Sequence, residues 1–93
     1  MSLQFEWNPE KAASNLKKHE VSFEEAATVF DDPVFITLLD EAHSLTEERY
    51  LTIGLSATNR LLLIAHTERK GQIRMISARK ATKNERQFYE EDR

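Results

Sequence analysis

With 93 residues, 40% of them apolar and 31% charged, the chain can build one compact core and not two, so a single domain over residues 1–93 is expected. The absence of cysteine excludes a disulfide framework and a thiolate metal site, and no cofactor is expected. No apolar run approaches the roughly 20 residues of a membrane span, and the opening MSLQFEWNP lacks a signal-peptide core, which makes a cytoplasmic protein without membrane contact the expectation.

Leu3 to Trp7 alternates apolar and polar residues like a short strand, with Trp7 expected in the core. Asn8-Pro9 then supplies an N-cap and a first-turn proline for a helix to about His19. Ala12, Ala13 and Leu16 recur at helical spacing and are expected to face inward, leaving Lys11, Asn15, Lys17 and Lys18 for solvent or a ligand. Ser22 to Glu25 reads as a capping box in which Glu25 reaches back to the cap. The short helix it starts carries Phe23, Ala26, Ala27 and Phe30 inward, and Asp31-Asp32-Pro33 stops it. Strands follow at Val34–Leu39, Arg49–Ser56, Arg60–Glu68 and Ile73–Ala78, with a polar loop from Asp40 to Glu48. Arg69-Lys70-Gly71 matches a three-residue hairpin loop. That loop would set Glu68 opposite Gln72 and His66 opposite Arg74, so that His66, Glu68 and Arg74 share an open face. Leu61, Leu63, Ala65 and Thr67 would then join Ile73, Met75 and Ser77 on the face packed by helices. Thr82 to Glu85 forms a second capping box and starts a final helix through Phe88 and Tyr89.

Charge is segregated along the chain, although the net value is −3. Glu20 to Glu48 holds nine acids and no Lys or Arg, either as a solvated face or as a surface for a basic partner. Arg69, Lys70, Arg74, Arg79, Lys80, Lys83 and Arg86 stand against the one acid Glu85 in the last third, the footprint expected for a polyanion.

FEWNPEKAASNLKKHEVSFEEAATVF, a DP turn, an H-S-x-x-E-E-R segment and RMISARKATKNERQFYE together resemble the BrnT family of toxins from type II toxin–antitoxin modules. The resemblance spans nearly the whole chain and is carried by two ordered blocks, N-x-x-K-H and I-S-A-R-x-A-T-x-x-E-R-x-x-Y. It implies a small α+β domain of RelE-like type, with an antiparallel sheet of about four to five strands, two N-terminal helices and a C-terminal helix. It further implies a metal-independent ribonuclease that inhibits translation and is held inactive by a BrnA-like, DNA-binding antitoxin expected across the basic face, with DNA reached only through that complex. Two departures stand out: Asn8 replaces Asp before the proline, and Glu20 stands where Gly is usual, at a C-cap whose left-handed conformation glycine adopts more easily.

Cleavage of RNA through its own 2′-hydroxyl needs a base, an acid and cations around the phosphorane. His66, Arg74, Arg79 and Glu68 are the catalytic candidates: an imidazole for proton transfer, two guanidinium forks for phosphate, and a carboxylate to orient the imidazole or act as base. Arg69, Lys70, Lys80, Lys83, Arg86, Tyr89, Lys18 and His19 are the RNA-binding candidates. Each has a structural alternative. Arg74 and Arg79 could instead pair with Glu6, Glu68 or Glu85, Lys18 and His19 could cap a helix C-terminus, and Tyr89 could close the core with Phe88 rather than stack on a base. A noncatalytic RNA-binding module and a protein-interaction domain remain as alternative functions.

Overall fold

The computed structural model describes residues 3–91. Three helices, α1 (Pro9–His19), α2 (Phe23–Thr28) and α3 (Lys83–Glu91), accompany five strands, β1 (Phe5–Glu6), β2 (Ile36–Leu39), β3 (Tyr50–Leu55), β4 (Leu61–Arg69) and β5 (Gln72–Lys80). The strands form one sheet in the order β1-β5-β4-β3-β2. It is antiparallel apart from β1, which runs parallel to β5.

Both N-caps expected for the first two helices are present. Asn8 Oδ1 accepts from the Glu10 and Lys11 N–H groups, and Ser22 Oγ accepts from Glu25 N–H at 3.0 Å. The capping box at Ser22 is only half made, because Glu25 reaches the β3–β4 turn instead of the cap. Its carboxylate accepts from Ser56 Oγ at 2.7 Å, Thr58 Oγ1 at 2.6 Å and the Arg60 guanidinium, and the Arg60 contact above all holds its pKa down to about 2. Arg60 also donates to the Glu20 carbonyl at 3.0 Å. Glu20 does take the left-handed C-cap conformation, φ 59° and ψ 33°, without glycine.

The roll of α1 departs from its apolar pattern. Leu16 is 50% exposed and Ala13 is exposed, whereas Asn15 is buried. Asn15 replaces a missing neighbour strand: β1 ends opposite Arg74, and beyond it the Asn15 amide accepts from Ala78 N–H at 3.0 Å and donates to the Ala78 carbonyl at 2.8 Å and the Val21 carbonyl at 2.9 Å. Buried backbone groups at a sheet edge must find partners, and an amide can serve both.

The β4–β5 hairpin corrects the expected register. Its loop is the two-residue turn Lys70-Gly71, with φ of 52° and 78°, so Arg69 pairs with Gln72, Thr67 with Arg74 and His66 with Met75. Two successive positive φ values suit the strand twist better than a three-residue loop, and Lys70 adopts the first of them. A bulge at Ile76 then shifts the pairing so that Ala65 faces Ser77 and Leu63 faces Arg79. One residue of slip exchanges the faces of a strand. Leu62, Ile64 and His66 therefore lie with Met75 and Ala78 under α1 and α2, against Val21, Phe23, Ala26 and Val29. Trp7 meets Phe23 edge-on at 5.8 Å.

A smaller core forms on the opposite face, where Tyr89 of α3 covers Ile53 and Leu61. The Tyr89 hydroxyl donates to Asp32 Oδ2 at 2.6 Å, and Asp32 also accepts from the Leu55 and Val34 N–H groups. Gly54 lies beneath this junction, where a Cβ would come within 2.9 Å of Val29 Cγ1.

Two outcomes follow from the core. Asn15→Ala should lower stability by at least about 1–3 kcal/mol, since it orphans buried backbone groups of Ala78 and Val21; urea denaturation followed by circular dichroism measures it. Burial pushes the His66 pKa from 6.5 down to about 4, so the unfolded chain binds more protons than the folded one between those values, and stability should fall as pH drops from 6.5 toward 4. Glu25, shifted from 4.5 to about 2, contributes below pH 4.5. A thermal midpoint that declines between pH 6.5 and 4.5 in the parent chain, and stays flatter there in His66→Gln, is the expected result.

Candidate active-site cleft

The face of the sheet away from α1 and α2 is only partly covered by α3, and the remainder forms a cleft of about 350 Å³. Leu51, Leu63, Ala65 and Ser77 line it from three strands, joined by Arg79, by Glu85 of α3, and by Asp40, His43 and Arg49 from the β2–β3 loop. The bulge at Ile76 makes this possible. Five residues apart, Arg74 and Arg79 would point to opposite faces of a regular strand; with the extra residue, Arg74, Ser77 and Arg79 share the open one.

The H-S-x-x-E-E-R segment builds the loop wall. Ser44 Oγ donates to the Asp40 carbonyl at 2.7 Å and accepts from Arg49 N–H at 2.9 Å, while Asp40 N–H donates to the Arg49 carbonyl at 2.7 Å. This closes the loop on itself and puts His43 and Arg49 on the same cleft wall. His43 Nδ1 lies 2.9 Å from Asp40 Oδ2, which fixes the ring and leaves Nε2 for a substrate. Glu47 takes the Arg69 guanidinium at 2.9 and 3.0 Å, and Glu48 accepts from the Tyr50 hydroxyl. Arg49 Nε is buried and has no hydrogen-bond partner among the described residues, an unsatisfied donor on a cation that lines the cleft.

Across the cleft, Arg79 donates from both terminal nitrogens to Glu85 at 2.8 Å. The ion pair raises the Arg79 pKa and lowers that of Glu85. Glu85 also completes the second capping box, accepting from Thr82 N–H at 2.8 Å while Thr82 Oγ1 accepts from Glu85 N–H at 3.2 Å. Arg79 is thereby held by the first turn of α3. The two carboxylates of the cleft are thus engaged by His43 and Arg79, and among the described residues no group of three or more His, Asp or Glu is placed to hold a metal ion.

Of the residues singled out in the sequence, Arg79 alone lines this cleft. The open face expected for His66 is corrected: its ring is 6% exposed on the helix side, shares a 2.7 Å hydrogen bond with Thr52, and packs against Phe30 and Tyr50. Glu68 follows it on the same side of β4 and is exposed. Arg74 is on the cleft face but bonds Glu6 at 2.9 Å. Arg69 is paired with Glu47; Lys70 occupies the hairpin turn; Lys80, Lys83 and Arg86 are exposed. Tyr89 is 3% exposed and bonded to Asp32, whereas Phe88 is 43% exposed. Lys18 and His19 end α1 and line a separate depression with Ser77. Asp40, His43 and Arg49 were not singled out, although the H-S-x-x-E-E-R segment carrying His43 and Arg49 and the polar loop beginning at Asp40 were named; a histidine and an arginine bracketing that segment were the available signal.

A family model described as the ribonuclease toxin BrnT of type II toxin–antitoxin systems matches residues 7–85. The structure is similar to the 1.1 Å crystal structure of the Brucella abortus ribonuclease toxin BrnT, with a TM-score of 0.67, 15% sequence identity, and coverage of 88% of this chain and 100% of that one. Among curated proteins, none matches the sequence. The length of the family match, the order of its motif blocks and the shared α+β fold lead to one conclusion: the chain belongs to the BrnT family of ribonuclease toxins from type II toxin–antitoxin systems.

Proposed function

We propose that this toxin cuts RNA without a metal ion, in the cleft between the Asp40–Arg49 loop and β5. The observation that carries the reading is the meeting of an oriented imidazole, His43 on Asp40, with two guanidinium groups, Arg49 and Arg79, in one open depression. The ribose 2′-oxygen attacks the adjacent phosphorus as its proton leaves, the bond from phosphorus to the 5′-oxygen breaks, and that oxygen takes up a proton. The products are a 2′,3′-cyclic phosphate and a 5′-hydroxyl. His43 Nε2 exchanges a proton in this sequence, and Arg49, whose buried Nε has no partner among the described residues, donates from its terminal nitrogens to the phosphorane oxygens as charge accumulates there. Arg79, fixed by Glu85, supplies a second positive charge with little reorganisation. His66, enclosed behind the sheet, serves the core in this scheme.

Loss of messenger RNA would stop translation in the cytoplasm. Relief would come from a BrnA-like antitoxin laid across the cationic face, with DNA contacts made by the antitoxin, since the acid-rich stretch from Glu20 to Glu48 repels a duplex.

Purified chain incubated with RNA in excess EDTA should yield 2′,3′-cyclic phosphate ends. His43→Ala should reduce cleavage on the order of 10²–10⁴-fold, the usual contribution of a positioned acid or base. Arg49→Ala should reduce it on the order of 10²–10³-fold, as for loss of one transition-state donor. Undiminished cleavage by both variants would move the chemistry out of this cleft, and RNA bound but uncut by the parent chain would make it a binding module.

A further inference from the structure

A second depression, of about 170 Å³, lies where α1 crosses the edge of β5, lined by Lys11, Ser14, Asn15, Lys18, His19, Ile76 and Ser77. Ser77 lines the reaction cleft as well, so the two are continuous over a single small side chain. The edge is open here because β1 stops at Glu6, opposite Arg74, and because the bulge at Ile76 leaves that residue outside the ladder with β4. Asn15 seals the backbone beneath by bonding Ala78.

The cations of this depression differ from the three arginines of the C-terminal stretch that stand on or beside the cleft face. Arg69, Arg74 and Arg79 each hold an acid of the chain. Lys11, Lys18 and His19 make no ion pair among the described residues, and no acid lines the depression. Lys11 and Lys18 are seven residues apart on α1, two turns along one helical face. Helix capping accounts for Lys18 and His19, since cations offset the negative C-terminal end of a helix. It does not account for Lys11 in the first turn, where the helix dipole disfavours a cation. Lys11 thus places, beside a second lysine on the same face, a positive charge that no acid of the described residues offsets.

We infer that a single strand of RNA whose reacting phosphate occupies the His43–Arg49 cleft continues over Ser77 onto α1, where Lys11, Lys18 and His19 bind phosphates flanking the cut. The inference rests on the ribonuclease reading for its direction but concerns binding. The linked depressions follow a sheet edge round to a helix face, a path for a flexible strand and not for a rigid duplex. It also joins the two most specific blocks of the sequence, N-x-x-K-H on α1 and I-S-A-R on β5, in one surface.

The test is equilibrium binding of the full chain to uncleavable 2′-O-methyl oligonucleotides, a dinucleotide and a longer single strand, across a salt series. Lys11→Gln/Lys18→Gln should bind the longer strand more weakly, with a log–log salt slope shallower by about 1.4, from about 0.7 per phosphate contact on single strands. Binding of the dinucleotide should be unchanged. An unchanged slope in the α1 variant, an equal loss for both oligonucleotides, or no binding by the parent chain overturns the inference. Because the probes are uncleavable, the outcomes separate: binding through α1 by a chain that cuts no RNA defeats the nuclease reading alone, and cleavage with an unaltered α1 slope defeats this one alone.

Discussion

The organisation of the molecule turns on how β4 and β5 pair. Their two-residue turn fixes one register near the hairpin tip, and the bulge at Ile76 changes it partway along. Before the bulge, the odd-numbered residues Ile73 and Met75 face the helices; after it, the even-numbered Ala78 does. A strand without the extra residue could not give α1 and α2 a continuous apolar surface and also present Arg74, Ser77 and Arg79 together on the other side. The same shift leaves Ile76 and Ser77 at an edge that α1 can approach. Core, cleft and helix-side depression are therefore three consequences of a single unpaired residue, in keeping with the placement of bulges where a sheet must redirect its side chains.

Electrostatics in the folded chain differs from a count along the sequence. The basic stretch from Arg69 to Arg86 meets two acids from distant segments and its own one: Glu47 takes Arg69, Glu6 takes Arg74, and Glu85 takes Arg79. The exposed Arg69–Glu47 pair contributes little to stability. The Arg79–Glu85 pair does more for geometry than for energy, because Glu85 is also the reciprocal partner in a helix cap and holds the guanidinium at a set place. Among the described residues, the cations left without an acid include Arg49 in the cleft, Lys11, Lys18 and His19 on α1, and the exposed Lys70, Lys80, Lys83 and Arg86.

Local chemistry was legible in the sequence and long-range pairing was not. The α1 bounds, the Asn8 and Ser22 caps and the full box at Thr82 depend on residues within four positions of one another, and each formed. Glu25 left its box because Arg60, Ser56 and Thr58, more than thirty positions away, offered a better set of donors. Asn15 was left for solvent or a ligand because its partner, Ala78, lies 63 positions along the chain. The hairpin register hinged on whether Lys70 would accept a positive φ, a choice that composition does not announce, and His66 changed faces with it. The polar loop from Asp40 to Glu48 and the H-S-x-x-E-E-R segment were legible, but not a site role for His43 and Arg49, because that depends on which strand residues stand opposite once the sheet has closed.

The wall made by α3 carries a consequence for timing. Glu85 positions Arg79, and Tyr89 anchors the helix to Asp32 across 57 positions of chain; α3 follows every other described element. Chains emerge from synthesis N-terminal part first, so the sheet, the loop with His43 and Arg49, and the helix-side core can all assemble while one wall of the cleft is still missing. A chain built in this order withholds the finished arrangement of these cations until α3 itself has been made.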